Sequence, residues 1–295
     1  MKLNCDDGWK SVVDYRWPAH YAWALFGLAL GCQFTASIFC VDILRRYTAS
    51  MHANSRPIDT SQTASHPQLL HLLARHRAAL FQKPVMTYNR AAFDVFLHAW
   101  RDAGEAPIIL DAGCGVGLST RHLAQAAPNC FVVGVDQSAD RISRQTKWTA
   151  PALDNCLLLR ADLVDFWRLL HDAGITLQRH YLLYPNPWPK ASHLGRRWHG
   201  HPIFPLAVGL GGVIECRSNW KIYIDECASA LTQLGVPDVV TEAFMPSMPI
   251  TPFEKKYLAS GHALWRCRSH EVAVATAPSS PALERSESAT MIGAA

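Results

Sequence analysis

Apolar and polar positions along the middle of the chain fall into short blocks. Ile108-Ile109-Leu110 is a continuous apolar run, the pattern of a buried strand, and it stops at Asp111 before a glycine-rich turn. Residues 130–135 repeat the pattern and stop at Asp136. Residues 155–160 form a third run leading to Asp162, and a fourth from His180 runs into a cluster of prolines. Helix-period segments separate the strands, one opened by Gly117 and continuing to Ala127, another from Leu163 to Ala173. Strands alternating with helices predict a parallel α/β sheet. Residues 262–270 read as an antiparallel edge strand, and residues 67–81 as a helix with Leu69, Leu72, Leu73 and Leu80 on its apolar side.

The ends differ from this body. Residues 21–41 carry no charge and have the length of a bilayer span, bounded by Arg16 and by Asp42, Arg45 and Arg46, but Gly27, Gly31, Gln33, Thr35 and Ser37 interrupt them. Three readings stand: translation starts near Met51 and the upstream piece is absent from the functional protein; the segment anchors a membrane; or it is a buried or partner-binding helix. Residues 51–66, rich in Ser and Thr, read as a flexible linker, residues 67–275 as the functional domain, and residues 276–295 as a disordered tail.

The turn after the first strand carries the first chemistry. Gly113, Gly115 and Gly117 give a G-x-G-x-G spacing that permits a tight turn and close backbone approach to a ligand. The third glycine is not where dinucleotide binders place it, so a dinucleotide ranks second. Asp111 would repel a pyrophosphate at the helix N-terminus and favours a ligand with a cationic or hydroxyl-rich part. S-adenosylmethionine, with its ammonium, sulfonium and ribose, meets that requirement. Asp136 is placed to accept from ribose hydroxyls, Asp162 from an adenine amino group, and Leu163 to cover the ring; the plain alternative for Asp162 is a helix cap.

Composition narrows the setting. At 295 residues and 49% hydrophobic, the chain can bury a substantial core, and a net charge of +4 is modest for a chain devoted wholly to nucleic acid. The nine cysteines form no C-x-x-C pair and no spacing suited to zinc, so no metal is expected and a reduced, cytoplasmic setting is. Cys114, inside the glycine turn, reads as packing. Arg75, His76 and Arg77 with Lys83 and Arg90 read either as a solvated face or as an approach to an acidic polymer.

The stretch His180-Tyr181-Leu182-Leu183-Tyr184-Pro185-Asn186-Pro187-Trp188-Pro189-Lys190, followed by His193, Arg196, Arg197, Trp198, His199 and His201, carries the second chemistry. Prolines stiffen the chain beyond the carboxyl end of a strand, where open α/β sheets bind ligands. Trp188 offers a stacking face, and Lys190, Arg196 and Arg197 offer phosphate contacts; the bland reading is a rigid connector with a solvated basic face.

This stretch resembles the signature of the bacterial tRNA (guanine-N7)-methyltransferases, phenylalanine-proline-aspartate-proline-tryptophan-proline-lysine before an arginine- and histidine-rich run. Further matches are the run from Gly211 to Tyr223, similar to the family's next strand and its threonine-aspartate-tryptophan turn, and Thr251-Pro252-Phe253-Glu254, similar to its threonine-x-phenylalanine-glutamate motif. The resemblance covers residues 107–268 in consistent order and implies a Rossmann-like class I methyltransferase, a seven-stranded, mostly parallel sheet with helices on both faces. It implies S-adenosylmethionine as cofactor and tRNA as partner. Asp111, Asp136 and Asp162 would contact the cofactor's methionine, ribose and adenine parts, with Gly113, Gly115 and Gly117 giving backbone access and Asn186 among the cofactor contacts. Lys190, Asn219 and Thr251 to Glu254 would form the guanine and tRNA side.

Two positions depart from the family pattern. Asn186 and Asn219, the candidate catalytic pair, stand where the family commonly has aspartates. Guanine N7 already holds a lone pair, so methyl transfer needs alignment and charge stabilisation and no general base. The amides keep an acceptor oxygen without the charge. Glu254 is expected to remain available for the guanine edge. Asn186-Pro187-Trp188 also approximates the asparagine-proline-proline-aromatic motif of amino methyltransferases, which leaves methylation of an exocyclic base amine in RNA or DNA open. Two further alternatives are a tRNA- or cofactor-binding protein with impaired catalysis and a membrane-tethered small-molecule methyltransferase.

Overall fold

The computed structural model describes residues 55–79, 81–144 and 151–270. The apolar segment 21–41, the start near Met51 and the tail 276–295 lie outside the described residues. Among the described residues no helix is long and apolar enough to cross a membrane.

In chain order the elements are α1 (Leu69–Ala78), α2 (Thr87–Asp102), β1 (Ile108–Ala112), α3 (Leu118–Ala126), β2 (Phe131–Asp136), α4 (Ala139–Ser143), β3 (Cys156–Arg160), α5 (Leu163–Asp172), β4 (Arg179–Leu183), two 3-10 turns (Ala191–Arg196 and Trp198–Gly200), α6 (Phe204–Gly209), β5 (Val213–Ser218), α7 (Lys221–Gln233), β6 (Val240–Ala243), α8 (Pro252–Ala259) and β7 (Trp265–Arg268). The strands form one seven-stranded sheet in the order β3-β2-β1-β4-β5-β7-β6. β7 runs antiparallel to β5 and β6, and the other observed pairings are parallel. This is the expected Rossmann-like class I methyltransferase arrangement. The antiparallel strand is not at the edge, as residues 262–270 were expected to be; it inserts between β5 and β6, and the exposed edge is β6.

β1, β2 and β4 are buried along their full length; the apolar runs of β1 and β2 require it, while β4 also buries Arg179 and His180. Alternation sorts their side chains between two cores. Ile108 and Leu110 point into a core with Phe93, Phe96, Phe131 and Phe166, while Ile109 packs with Leu123, Val132, Tyr181 and Leu183. Asp111 shares the face of Ile109 and so meets α3. Gly134 makes that contact close: a Cβ there would lie 2.3 Å from Thr120 Oγ1. Strand order reverses between β1 and β4, and the crevice at their carboxyl ends is where such a sheet accepts ligands.

Candidate active site

β1 delivers Asp111 to the crevice with 1% exposure. Its Oδ2 accepts from Ser119 Oγ at 2.6 Å and Thr120 Oγ1 at 2.7 Å, both in the first turn of α3. Its Oδ1 is buried without a partner among the described residues. Burial pushes the carboxyl up to about 6, against the pull of the two hydroxyls. An orphaned buried oxygen on a group that resists ionisation fits a ligand that brings its own positive charge.

The glycine turn is held against β2. Gly113 and Cys114 donate to Val135 O, and Gly115 N donates to Asp136 Oδ2 at 3.0 Å. Gly113 and Gly115 adopt φ values of 80° and 61°, a left-handed conformation that favours glycine, and a Cβ on Gly115 would meet nothing within 4 Å. Gly117, at φ 77°, is the N-cap of α3. Cys114 is buried, and burial pushes its thiol well up, in keeping with a packing role. Asp136 Oδ1 accepts from Ser138 N, and Arg141 lies 3.5 Å from Oδ2.

Asp162 caps α5: its Oδ1 accepts from Val164 N at 2.9 Å. The cap leaves Asp162 partly exposed, while Leu163 comes within 4.0 Å of where a Cβ on Gly113 would stand. Asn89, fully buried on α2, accepts from Asp162 N and donates to Asp165 Oδ2, fixing the turn. Asn89, Asp165, Ser119 and Thr120 were missed by sequence reasoning. Two hydroxyls directly after the glycine turn were the only local signal for any of them.

On the other side of the crevice, the proline-rich loop leaves β4 through two strained residues. Tyr184 and Trp188 have φ of 52° and 45°, uncommon for aromatic side chains and of a kind that clusters at ligand sites. Asn186 is exposed, and its Oδ1 accepts from Trp188 N at 3.3 Å. Lys190 and Arg196 are exposed, and the Arg196 guanidinium lies over the Trp188 ring at 4.9 Å.

Arg197 corrects the expectation of a phosphate contact. It is fully buried. Its Nη1 donates to Glu226 Oε2 at 2.5 Å, its Nε and Nη2 donate to Trp188 O at 3.2 Å, and Nη2 also donates to Gln62 Oε1. Glu226, on α7, also receives His199 Nε2, Gln62 Nε2 and His66 N. Burial alone would raise its carboxyl, but His199, Arg197 and the His66 amide hold it down at about 2. The arginine therefore fastens the proline loop to α7. The lead-in, residues 55–66, joins the same network and crosses the loop, Thr60 Oγ1 donating to Pro189 O.

The C-terminal motif is likewise turned inward. Thr251 caps α8 by accepting from Glu254 N, and Glu254 is fully buried. Its Oε1 accepts from Tyr184 Oη and Arg217 Nη1, its Oε2 from Ile250 N. Glu254 is thus not available for a guanine edge; it braces the strained Tyr184. The Thr-x-x-Glu spacing of a capping box was the sequence signal for this. Asn219 Nδ2 donates to His262 Nδ1 at 3.0 Å, and His262 Nε2 donates to Ser55 O.

Comparison with known proteins matches residues 105–267 to the family described as "Putative methyltransferase". The chain is similar to a tRNA (guanine-N(7)-)-methyltransferase of Polaromonas naphthalenivorans (strain CJ2), 29% identical over 55% of this chain and 70% of that one. It is similar to the like-named protein of Acidovorax sp. (strain JS42), 29% identical over 61% and 73%. A third, from Polaromonas sp. (strain JS666 / ATCC BAA-500), is 30% identical over 54% and 69%.

Proposed function

This chain belongs to the methyltransferase family matched over residues 105–267 and is related to the tRNA (guanine-N7)-methyltransferases; from that premise we propose that it methylates N7 of a guanine in tRNA from S-adenosylmethionine. The observation that carries the reading is the unpartnered buried Asp111 oxygen beside an unobstructed glycine turn.

Asp111 Oδ1 would accept from the cofactor's ammonium. Asp136 would accept from ribose hydroxyls, with its two amide contacts fixing the carboxylate's aim. The free part of Asp162 and the face of Leu163 would take the adenine, so capping and recognition coexist. The bound cofactor supplies an activated methyl on a sulfonium. The protein's share is then alignment: Asn186 and the strained Tyr184–Trp188 loop set where the base arrives, and Lys190 and Arg196 hold phosphate. No residue needs to remove a proton, because N7 carries its lone pair already.

Base-amine methylation would call on Asn186 Oδ1 as acceptor, an oxygen that takes the Trp188 amide and keeps a second lone pair, so the identity of the methylated nucleoside decides between the two readings. The test separates the two halves. Asp136→Ala should weaken S-adenosylmethionine binding at least about tenfold and leave tRNA affinity near wild type, whereas Lys190→Ala should do the reverse and flatten the salt dependence of tRNA binding. The opposite pattern in calorimetry and filter binding would overturn the assignment.

A further inference from the structure

Three of the described cysteines, separated in sequence, come together in space. Cys216 on β5 and Cys267 on β7 are direct partners in the antiparallel register, and both point to the face covered by α7. Cys227, on α7, meets them there. The three sulfur atoms lie within 4.8 Å of one another, and the three residues are at most 1% exposed.

We propose that Cys216, Cys227 and Cys267 supply three thiolate ligands to one thiophilic d10 metal ion, copper(I) held three-coordinate or zinc(II) with a fourth ligand from outside this trio. An ion bonded to sulfur at about 2.3 Å holds tetrahedrally arranged sulfurs about 3.8 Å apart, inside the observed limit. Soft thiolates select such ions over hard ones. Binding would exchange up to three thiol protons for three metal–sulfur bonds, with no change of oxidation state. The three ligands come from three elements, and no pair of them is closer than eleven positions in sequence, which is why no zinc-like spacing announced them. Metal would tie the inserted strand β7 to β5 and to the helix that carries Glu226. The site lies on the sheet face opposite the Arg217–Glu254 pair, away from the reacting groups, so its role is to hold the frame. Cysteine also packs as a small hydrophobe, and three thiols filling a core gap is the competing account.

The discriminating experiment is elemental analysis of the full-length protein, purified under reducing conditions from medium supplemented with zinc and, separately, copper. About one ion per chain in one arm, falling below about a tenth in Cys227→Ala, is expected of a structural thiolate site. The cobalt-loaded wild type should show thiolate-to-cobalt charge-transfer absorption that Cys227→Ala lacks. A folded wild-type protein with no bound metal in either arm overturns the proposal, as does a disulfide between Cys216 and Cys267. Because the wild type is read directly, failure of the variant to fold does not decide the result, and the methyltransferase assignment stands or falls separately.

Discussion

The two sides of the crevice are built on opposite plans. On the glycine side, Asp111, Gly113, Gly115, Asp136 and Leu163 stand at or just beyond strand ends and converge directly, with an unpartnered oxygen and open space left where a ligand would lie. On the proline side, groups that look alike in sequence do different jobs. Arg196 is exposed over Trp188, while its neighbour Arg197 is buried on Glu226; Lys190 is exposed, while Glu254 is spent on Tyr184 and Arg217. The first side is prepared for a ligand by what it leaves unsatisfied. The second is prepared by internal ion pairs that hold a strained loop in place.

The sharpest way to break that contrast is to remove the hub. Glu226→Ala leaves Arg197 buried without its counter-charge and should cost about 3–5 kcal/mol of stability, read as a lowered urea midpoint. Glu226's low carboxyl makes its contribution present above the usual carboxylate range and lost as pH falls from about 4.5 toward about 2. A variant as stable as wild type would mean that the loop does not depend on this anchor.

Next in size is the open half. Asp111→Asn should weaken S-adenosylmethionine binding by about tenfold to a hundredfold, the worth of a charge-assisted hydrogen bond. The wild-type affinity should itself fall as pH drops through about 6, because the protonated carboxyl no longer attracts an ammonium. The stability sign is opposite: the folded carboxyl holds its proton more tightly than the unfolded one. Asp111's contribution is therefore full below about 4 and lost as pH rises through about 6 in the ligand-free protein. Calorimetric titration across that range checks both, and a flat profile in the wild type would remove Asp111 from the ammonium site.

Arg196→Ala should act on RNA alone, reducing the slope of log affinity against log salt by about one counterion while leaving the unfolding midpoint unchanged. Equal loss of stability in Arg196→Ala and Glu226→Ala would erase the distinction between the two neighbouring arginines. The smallest expected change is a gain of under about tenfold in tRNA methylation for Asn219→Asp, which restores a carboxylate beside His262.

What could be read in advance follows the same division. The strands, the glycine turn and the acidic strand ends were legible because strand period and turn chemistry act within a few residues. Insertion of β7 between β5 and β6 was not, since residues 262–270 carry strand character but nothing that names a neighbour. Arg197 was misread because its partner lies on a helix 29 positions away, and Glu226 sits in a stretch with no motif of its own. The meeting of Cys216, Cys227 and Cys267 depends on register between antiparallel strands, which composition and spacing do not encode.

The most direct test of the central claim is to incubate the full-length protein with methyl-labelled S-adenosylmethionine and unmodified tRNA, digest the RNA, and identify the labelled nucleoside by mass spectrometry. The account predicts 7-methylguanosine. A label on an exocyclic base amine, or no label in tRNA despite bound cofactor, would contradict it.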